Sequence, residues 1–334
     1  MTRIAIWALD GGLGSTITGA IDVFHVANML WKSHYPDIHA SLFDWQLASP
    51  SGLPVKTASG PQIAVDAAID PTADVDIVLV PGVVATTLAE IQTTLDRNTF
   101  LIEALRTQRE RGAAIGANCA STFFLAEAGL LEGRTATTSW WLEDAFRLRY
   151  PNINLRTDET VTEDNAVFCS GASTACLHLA LRLVERFGNA ALAAAVAKSL
   201  LIDGVRTSQA PFKTLMLHAY LKHNDTIVLR GQRWMERYLA RPFQLSLLAR
   251  YLRRSERTVI RRFKKVTGRT PGKYMQGMKI EFAKRLLEAG QMSVDNICLR
   301  VGYEDVSSFR RLFRRETGVS PSQYQALLLR SVSK

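Results

Sequence analysis

Residues 114–131, AIGANCASTFFLAEAGLL, decide the fold of the first half of the chain. An apolar run ends at Cys119, and a helical pattern of apolar residues begins immediately after it. This order predicts a buried strand, a sharp turn and a helix, an arrangement that often holds a nucleophilic side chain. Cys119 is therefore a catalytic thiol, a residue that lines a ligand pocket, or a plain core cysteine.

Short apolar strands alternate with helices on both sides of this stretch. RIAIWAL (3–9) and VDIVLVPG (75–82) are continuous apolar runs, typical of parallel strands that are covered on both faces. Amphipathic patterns at 19–31 and 99–112 predict helices. The alternation predicts an α/β fold in which helices sandwich a mostly parallel sheet, as in flavodoxin-like proteins.

The charge of the chain is divided unevenly. From Arg230 to the C-terminus there are 24 Lys and Arg against 8 Asp and Glu, a net charge of +16. The preceding 229 residues carry 17 and 23, a net charge of −6. A length of 334 residues favours two domains, and the asymmetry indicates that the second binds a polyanion.

The basic region contains an internal repeat. TVIRRFKKVTGRTPGKY (258–274) aligns with SFRRLFRRETGVSPSQY (308–324), 50 residues further along the chain. Gly268 and Gly318 are placed to end a helix in the left-handed conformation that glycine adopts easily. The Thr-Pro or Ser-Pro pair that follows predicts the capped start of the next helix.

A shorter apolar helix precedes each copy, at 245–252 and 293–301, and a turn of three or four residues separates the two. The sequence therefore predicts two helix-turn-helix units. Residues 271–289 predict a single helix between the units, about 28 Å long. That length is close to the roughly 34 Å between successive major grooves on one face of B-DNA, so one chain could place two recognition helices in adjacent grooves.

With these motifs, residues 232–330 resemble the AraC-type DNA-binding domain, through LLARYLRRSERTVIRRFKKVTGRTPGKY and ICLRVGYEDVSSFRRLFRRETGVSPSQY. The resemblance implies promoter DNA as a partner. Helix geometry turns Val259, Phe263, Phe309 and Phe313 inward. Geometry and resemblance together nominate eight residues for DNA contact: Arg257, Thr258, Arg261, Arg262, Val306, Ser307, Arg310 and Arg311. Arginine suits guanine and Val306 suits a thymine methyl, whereas Arg262 and Arg311 suit phosphates.

The first 200 residues resemble the class I glutamine amidotransferase-like (PfpI-type) superfamily, in the version fused to an AraC-type domain in bacterial regulators. DVFHVAN (22–28), VLVPG (78–82), IGANCASTFFLAEAGLLEGRTATTSWW (115–141) and LALRLVERFG (179–188) carry this resemblance. The resemblance implies an amidotransferase-like fold. In such relatives the effectors are often small amines or amino-acid derivatives, and the usual output is activation.

The chain departs from the catalytic relatives at each support that a thiol nucleophile needs. Ser139 stands where they have a histidine, Ser121 where glycine is common, and the loop 11–19 contains no carboxylate. His25 and His178 are the histidines that the fold could still bring to Cys119. We therefore expect no catalytic residue and no enzyme activity. The expected ligand pocket lies at the strand ends, with six lining residues: Asn118, Cys119, Ala120, Ser121, Thr138 and Ser139.

The four cysteines form no CxxC pair and the six histidines form no HExxH motif, so we expect neither a metal nor another cofactor. No apolar run is long enough to span a membrane, and MTRIAIWALDGG predicts a first strand rather than a signal peptide. These features predict a cytoplasmic protein without a membrane partner.

The sequence thus predicts a ligand-sensing and dimerisation domain (1–205), a linker (206–231) and a DNA-binding domain (232–330). The predicted function is a transcriptional activator that is controlled by a small-molecule effector, which the resemblance implies is an amine or an amino-acid derivative. Its predicted partners are promoter DNA, a second copy of the chain and RNA polymerase. Two alternatives stay open here: an enzyme that uses Cys119, and an architectural DNA-binding protein without a ligand.

Overall fold

The computed structural model describes residues 1–35, 40–203, 208–209, 225–290 and 292–332. The chain divides into two compact units, residues 1–209 and residues 210–334. Within the described ranges, every helix is too short or too polar to span a lipid bilayer.

The first unit is built on a seven-stranded sheet with the order β10-β11-β7-β6-β1-β2-β5. Its strands are β1 (Thr2–Trp7), β2 (Phe43–Ser49), β5 (Ala67–Ala68), β6 (Ile77–Val80), β7 (Ala114–Asn118), β10 (Val161–Asp164) and β11 (Val167–Ser170). Two further pairs are β3 (Val55–Lys56) with β4 (Gln62–Ile63), and β8 (Thr135–Ala136) with β9 (Asn154–Leu155). Every neighbouring pair in the large sheet is parallel except β10 and β11, so the predicted mostly parallel sheet is confirmed.

Helices cover both faces of this sheet. They are α1 (Gly14–His34), α2 (Leu88–Arg97), α3 (Thr99–Glu110), α4 (Thr122–Glu127), α5 (Glu143–Arg149), α6 (Ala175–Phe187) and α7 (Ala190–Ser199). Strand β6 shows why its sequence is continuously apolar. Val78 and Val80 join the core beneath α2–α5, whereas Ile77 and Leu79 join the core beneath α1, α6 and α7.

Two local features of the first unit differ from the sequence-based expectation. The apolar pattern at 122–131 continues past the end of α4, which stops at Glu127 because Gly129 adopts a left-handed φ of 72° and breaks the helix. The sheet also ends in an antiparallel hairpin. Asn165 and Ala166 form its two-residue turn, both with positive φ (48° and 55°), as the right-handed twist of a hairpin favours.

The second unit is helical throughout its described part. Its helices are α8 (Thr226–Arg237), α9 (Leu245–Leu252), α10 (Glu256–Thr267), α11 (Pro271–Glu288), α12 (Val294–Arg300), α13 (Val306–Thr317) and α14 (Pro321–Val332). Residues 226–231, the end of the predicted linker, belong to α8. The rest of that linker lies outside the described residues, apart from residues 208, 209 and 225. Helix α11 is the predicted connecting helix and ends one residue earlier than expected.

The second unit has two separate hydrophobic cores, one for each helix-turn-helix. Val259 and Phe263 lie in the first core, and Phe309 and Phe313 lie in the second. All four side chains have no exposed surface, which confirms the predicted inward faces. Helix α11 contributes to both cores, so it is a shared structural element of the two motifs.

Candidate functional site

Cys119 lies at the turn between β7 and α4. Its φ of 57° is left-handed, a conformation that costs a residue with a side chain roughly 1–2 kcal/mol. The backbone N–H of Cys119 donates to the Gly171 carbonyl over 3.1 Å, and a single 3₁₀ turn, Cys119–Ser121, leads into α4. The predicted strand, sharp turn and helix are therefore present at this position.

Hydroxyl groups contact both the thiol and the carbonyl of Cys119. Ser139 Oγ donates to Cys119 Sγ over 2.8 Å, and the residue is 3% exposed. Thr122 Oγ1 and Thr138 Oγ1 donate to the Cys119 carbonyl over 2.8 and 2.9 Å. Burial raises the pKa of the Cys119 thiol, so the thiol is protonated at neutral pH and is a weak nucleophile.

The structure brings the six predicted pocket residues together at the carboxyl ends of the strands, and none of them is more than 3% exposed. Their polar atoms are largely used inside the protein. Ser121 Oγ donates to the Pro81 carbonyl over 2.6 Å, and Asn118 Nδ2 donates to Ser170 Oγ over 2.9 Å. A ligand that touched these side chains would have to displace existing contacts.

Neither candidate histidine supports the thiol. His25 is exposed on α1, and His178 Nε2 lies 3.1 Å from the Asp203 carbonyl oxygen. Within the described ranges, no three His, Cys, Asp or Glu side chains cluster closely enough to hold a metal ion.

An open cavity of about 340 Å³ lies where α1 and α6 begin and α7 ends. Its lining combines one carboxylate with hydroxyls and apolar groups: Ser15, Thr18, Gly19, Asp22, Thr174, Cys176, Leu177, Leu200 and Ile202. Burial raises the pKa of the Cys176 thiol to about 12, with a smaller contribution from Cys119. Thr174 and Cys176 of the lining closely follow Gly171, whose carbonyl accepts the Cys119 N–H, so the cavity lies close to the Cys119 turn, whereas the sequence pattern had pointed to the turn itself.

Gln209 packs against the same turn from the end of the first unit, and it is 5% exposed. Its Nε2 donates to the Thr138 carbonyl over 2.9 Å, and Ala172 N donates to its Oε1 over 3.3 Å. Gly171 makes room for this side chain, because a Cβ there would lie 2.5 Å from the Gln209 carboxamide carbon. Since Gly171 also accepts the Cys119 N–H, the chain that leaves the first unit is bonded to the surroundings of Cys119.

Side-chain caps begin both recognition helices, and the glycines that the repeat predicted end them. Ser255 Oγ accepts from the Thr258 N–H at the start of α10, and Asp305 accepts from the N–H groups of Ser307 and Ser308 at the start of α13. Gly268 and Gly318 end these helices with φ values of 69° and 77°. Each cap satisfies N–H groups that have no partner within the helix.

The turns of the two units differ in length by one residue. Arg253, with a left-handed φ of 52°, ends α9 two residues before the cap Ser255. Gly302, with a φ of 77°, lies three residues before the cap Asp305. With the caps aligned, Arg261 corresponds to Arg311, and the counterpart of Arg310 is Ile260. The two recognition helices therefore present different side chains.

The first recognition helix exposes Arg257 and Arg261, and Thr258 is half-buried. Arg262, predicted as a phosphate contact, is half-buried and pairs with Asp225 over 3.0 Å. Asp225 caps α8 by accepting from the Ile227 and Val228 N–H groups, so the pair connects α10 to the start of α8.

The second recognition helix exposes Ser307, Arg310 and Arg311. Arg310 pairs with Asp295 over 3.3 Å, and both side chains are more than half exposed. Val306, predicted to face outward, is half-buried and packs against the second core, so only part of its side chain is available. Arg311 Nη2 donates to Ser308 Oγ over 3.1 Å on the same helix.

Comparisons with known proteins agree with this two-part organisation. A family model described as the DJ-1/PfpI family matches residues 36–186, and one described as a helix-turn-helix domain matches residues 248–326. The chain thus joins a region that matches the DJ-1/PfpI family to a region that matches a helix-turn-helix domain.

Two curated relatives from Pseudomonas aeruginosa match most of the chain. The HTH-type transcriptional regulator CdhR is 29% identical, over 92% of this chain and 87% of that protein. The HTH-type transcriptional regulator GbdR is 27% identical, over 95% of this chain and 82% of that protein. The solved structure of an AraC family transcriptional regulator from Pseudomonas putida has a TM-score of 0.51 and 22% identity, and the match covers 60% of this chain and 100% of that one. This last likeness concerns the fold.

Sequence reasoning missed several residues of both domains. In the DJ-1/PfpI-type domain, Asp22 looked like an ordinary polar position on a helix, and Gln209 lay inside a stretch interpreted as linker. In the AraC-type domain, the partner of Arg262 was not foreseen. A weak signal was available for Asp225, because an aspartate immediately before a helical pattern predicts a cap.

Proposed function

We propose that this chain is a sequence-specific transcriptional regulator that activates its promoter with RNA polymerase, as a homodimer, under the control of a small-molecule effector. The proposal assigns effector binding and pairing of subunits to residues 1–205, and DNA binding to residues 232–330. One observation carries it. Two capped helix-turn-helix units, joined by one helix, expose arginines on recognition helices within a region of net charge +16.

We assign base contacts to Arg257, Thr258 and Arg261 in the first unit, and to Ser307 and Arg310 in the second. Arginine can hold O6 and N7 of guanine with two hydrogen bonds. The exposed ion pair of Arg310 with Asp295 does not oppose this role, since such pairs contribute about 0–1 kcal/mol. Arg311 is assigned to a phosphate.

Capture of genomic DNA tests this function. The full-length protein is incubated with sheared DNA from its own genome near physiological salt, and the retained fragments are sequenced. Discrete sites, each with two short blocks about one helical turn apart, are expected. Uniform retention that disappears steeply with added salt would show only attraction to phosphates and would contradict the proposal.

We assign the effector to the cavity beside the Cys119 turn and propose that it is an amine or an amino-acid derivative. Among the described residues that line the cavity, Asp22 supplies the one negative charge. The hydroxyls of Ser15, Thr18 and Thr174 can bind other polar groups, and the apolar side of the cavity suits a short hydrocarbon chain. A cationic amine placed against Asp22 would satisfy this combination.

A thermal-shift panel of primary amines and amino acids tests the assignment. A ligand at 100 times its Kd stabilises the folded state by about 2.7 kcal/mol, which is measurable as a rise in melting temperature. We expect Asp22→Asn to abolish the rise, and Asp44→Asn, on an exposed position of β2, to preserve it. A rise that survives Asp22→Asn but disappears in Ser139→Ala would place the ligand at the Cys119 turn instead.

The reactivity of Cys119 distinguishes the regulator from the enzyme alternative. Because burial raises the pKa of its thiol, we expect Cys119 to resist iodoacetamide at pH 7.5 in the folded protein and to react after denaturation. Mass spectrometry of the peptide that contains Cys119, over a series of pH values, measures this. Alkylation that titrates well below pH 8.5 would favour a catalytic thiol over the regulator-only function.

A further inference from the structure

Lys279 connects the two helix-turn-helix units from the middle of α11. Its side-chain ammonium is buried, with the residue 4% exposed. Lys279 Nζ donates to the Arg241 carbonyl over 3.1 Å and to the Gly302 carbonyl over 3.1 Å. Arg241 lies between α8 and α9, just before the first helix-turn-helix, whereas Gly302 lies in the turn of the second helix-turn-helix. One ammonium group is thus bonded to both motifs.

The backbones of the two units approach closely at this point. A Cβ on Gly302 would lie 2.7 Å from the carbonyl carbon of Ala240 and closer still to its oxygen. The same Cβ would lie 2.9 Å from Lys279 Nζ. Only a glycine permits this approach, and its φ of 77° is also one that glycine adopts easily.

Burying an ammonium group is costly unless hydrogen bonds or an aromatic ring compensate for the lost water. Here two carbonyls accept from Lys279 Nζ, and the Tyr303 ring centroid lies 5.0 Å away. Burial lowers the pKa of Lys279. An apolar residue would fill the space without the cost of desolvation. It could not, however, donate the hydrogen bonds that hold the two carbonyls in fixed positions relative to each other.

The two hydrophobic cores give little other control over the relative orientation of the motifs. Phe263 and Phe313 belong to different clusters, and α11 is the element common to both. A single helix fixes the distance between two motifs well but leaves small rotations about it open. The contact of Lys279 with Arg241 and Gly302 restrains those rotations.

We propose that Lys279 is a positioning residue that fixes the spacing and rotation between the two recognition helices, and thereby selects the separation of the two base blocks in the DNA site. This inference rests on the proposed function, because it concerns DNA with two blocks. Since each base pair turns the double helix by about a tenth of a turn, a small rotation between the motifs changes the preferred separation.

The test compares Lys279→Met with the wild-type full-length chain on captured sites whose two blocks are separated by spacers that change one base pair at a time. Methionine has a similar length but neither charge nor donor. The wild type is expected to bind one spacer about 100-fold or more tightly than a single block. Lys279→Met should retain less than about a tenth of that enhancement, with a flattened spacer profile and an unchanged affinity for the single block.

Lys284→Met is the matched control. Lys284 is also buried on α11, but its nitrogen pairs with Glu281 of the same helix over 2.9 Å. This variant should keep the single spacer optimum. A wild-type spacer profile in Lys279→Met, or an equal loss on single and paired blocks, would overturn the proposal.

A measurement without DNA separates failure of this inference from failure of the proposed function. Spin labels at Lys265→Cys and Arg315→Cys, exposed positions on α10 and α13, report the distance between the recognition helices by double electron–electron resonance. The distance distribution should broaden in Lys279→Met and stay narrow in Lys284→Met. If the distribution broadens but the wild type binds no specific DNA, the positioning role stands and the regulator function fails.

Discussion

Gly302→Val is expected to unfold the second helix-turn-helix, while residues 1–209, the other unit of the chain, stay folded. The φ of 77° at this position is strained for a β-branched residue, at roughly 1–3 kcal/mol. The new side chain would also overlap the backbone of Ala240, and overpacking of this kind costs roughly another 1–3 kcal/mol. Together these effects approach the whole stability of a small helical region.

Hydrogen exchange measured by mass spectrometry should show the loss. Amides of α13 should exchange rapidly in Gly302→Val, while those of β7 remain protected. Gly290→Val is the matched control, because Gly290 also has a positive φ of 68° but nothing lies within 4 Å of its missing Cβ. It should show the backbone strain alone. Equal damage in the two variants would contradict the importance of the contact with Ala240.

Arg261→Ala and Arg310→Ala are each expected to weaken specific DNA binding by roughly 1–3 kcal/mol and to relax one base preference. The two arginines lie on different recognition helices, so the losses should add to roughly 2–6 kcal/mol in the double variant. Fluorescence anisotropy with captured sites, and with sites changed at one base pair, measures both the affinity and the preference.

The control for the removal of charge is Arg97→Ala, an exposed arginine on α2 of the first unit. It should leave both quantities unchanged. Loss of affinity by the same factor on every DNA sequence would show that Arg261 or Arg310 contacts phosphate rather than a base.

Features governed by local sequence were predictable. Helix α9 has the limits that its apolar pattern indicated, and the caps of α10 and α13 follow from Ser255, Asp305 and the terminal glycines. Such features depend on residues within one or two turns of each other. The parallel sheet was also predictable, because continuous apolar runs alternated with helical patterns.

Contacts between distant residues were not predictable from one sequence. Nothing local indicates that Lys279 would bond Arg241 and Gly302, or that Gln209 would bond Thr138. The extra residue in the turn of the second motif was not predictable either, because it lies before the cap, whereas the offset of 50 residues between the two copies is constant from Ser255 and Asp305 onward.

The different side chains of the two recognition helices have a consequence for the DNA target. Because Arg310 corresponds to Ile260 once the caps are aligned, the two motifs cannot recognise the same base sequence. A site for one chain then consists of two different short base sequences in a fixed order. On the opposite strand the two sequences occur in the reverse order. Under the proposed function, each chain binds its site in one orientation only. It could therefore direct RNA polymerase toward one side of the site.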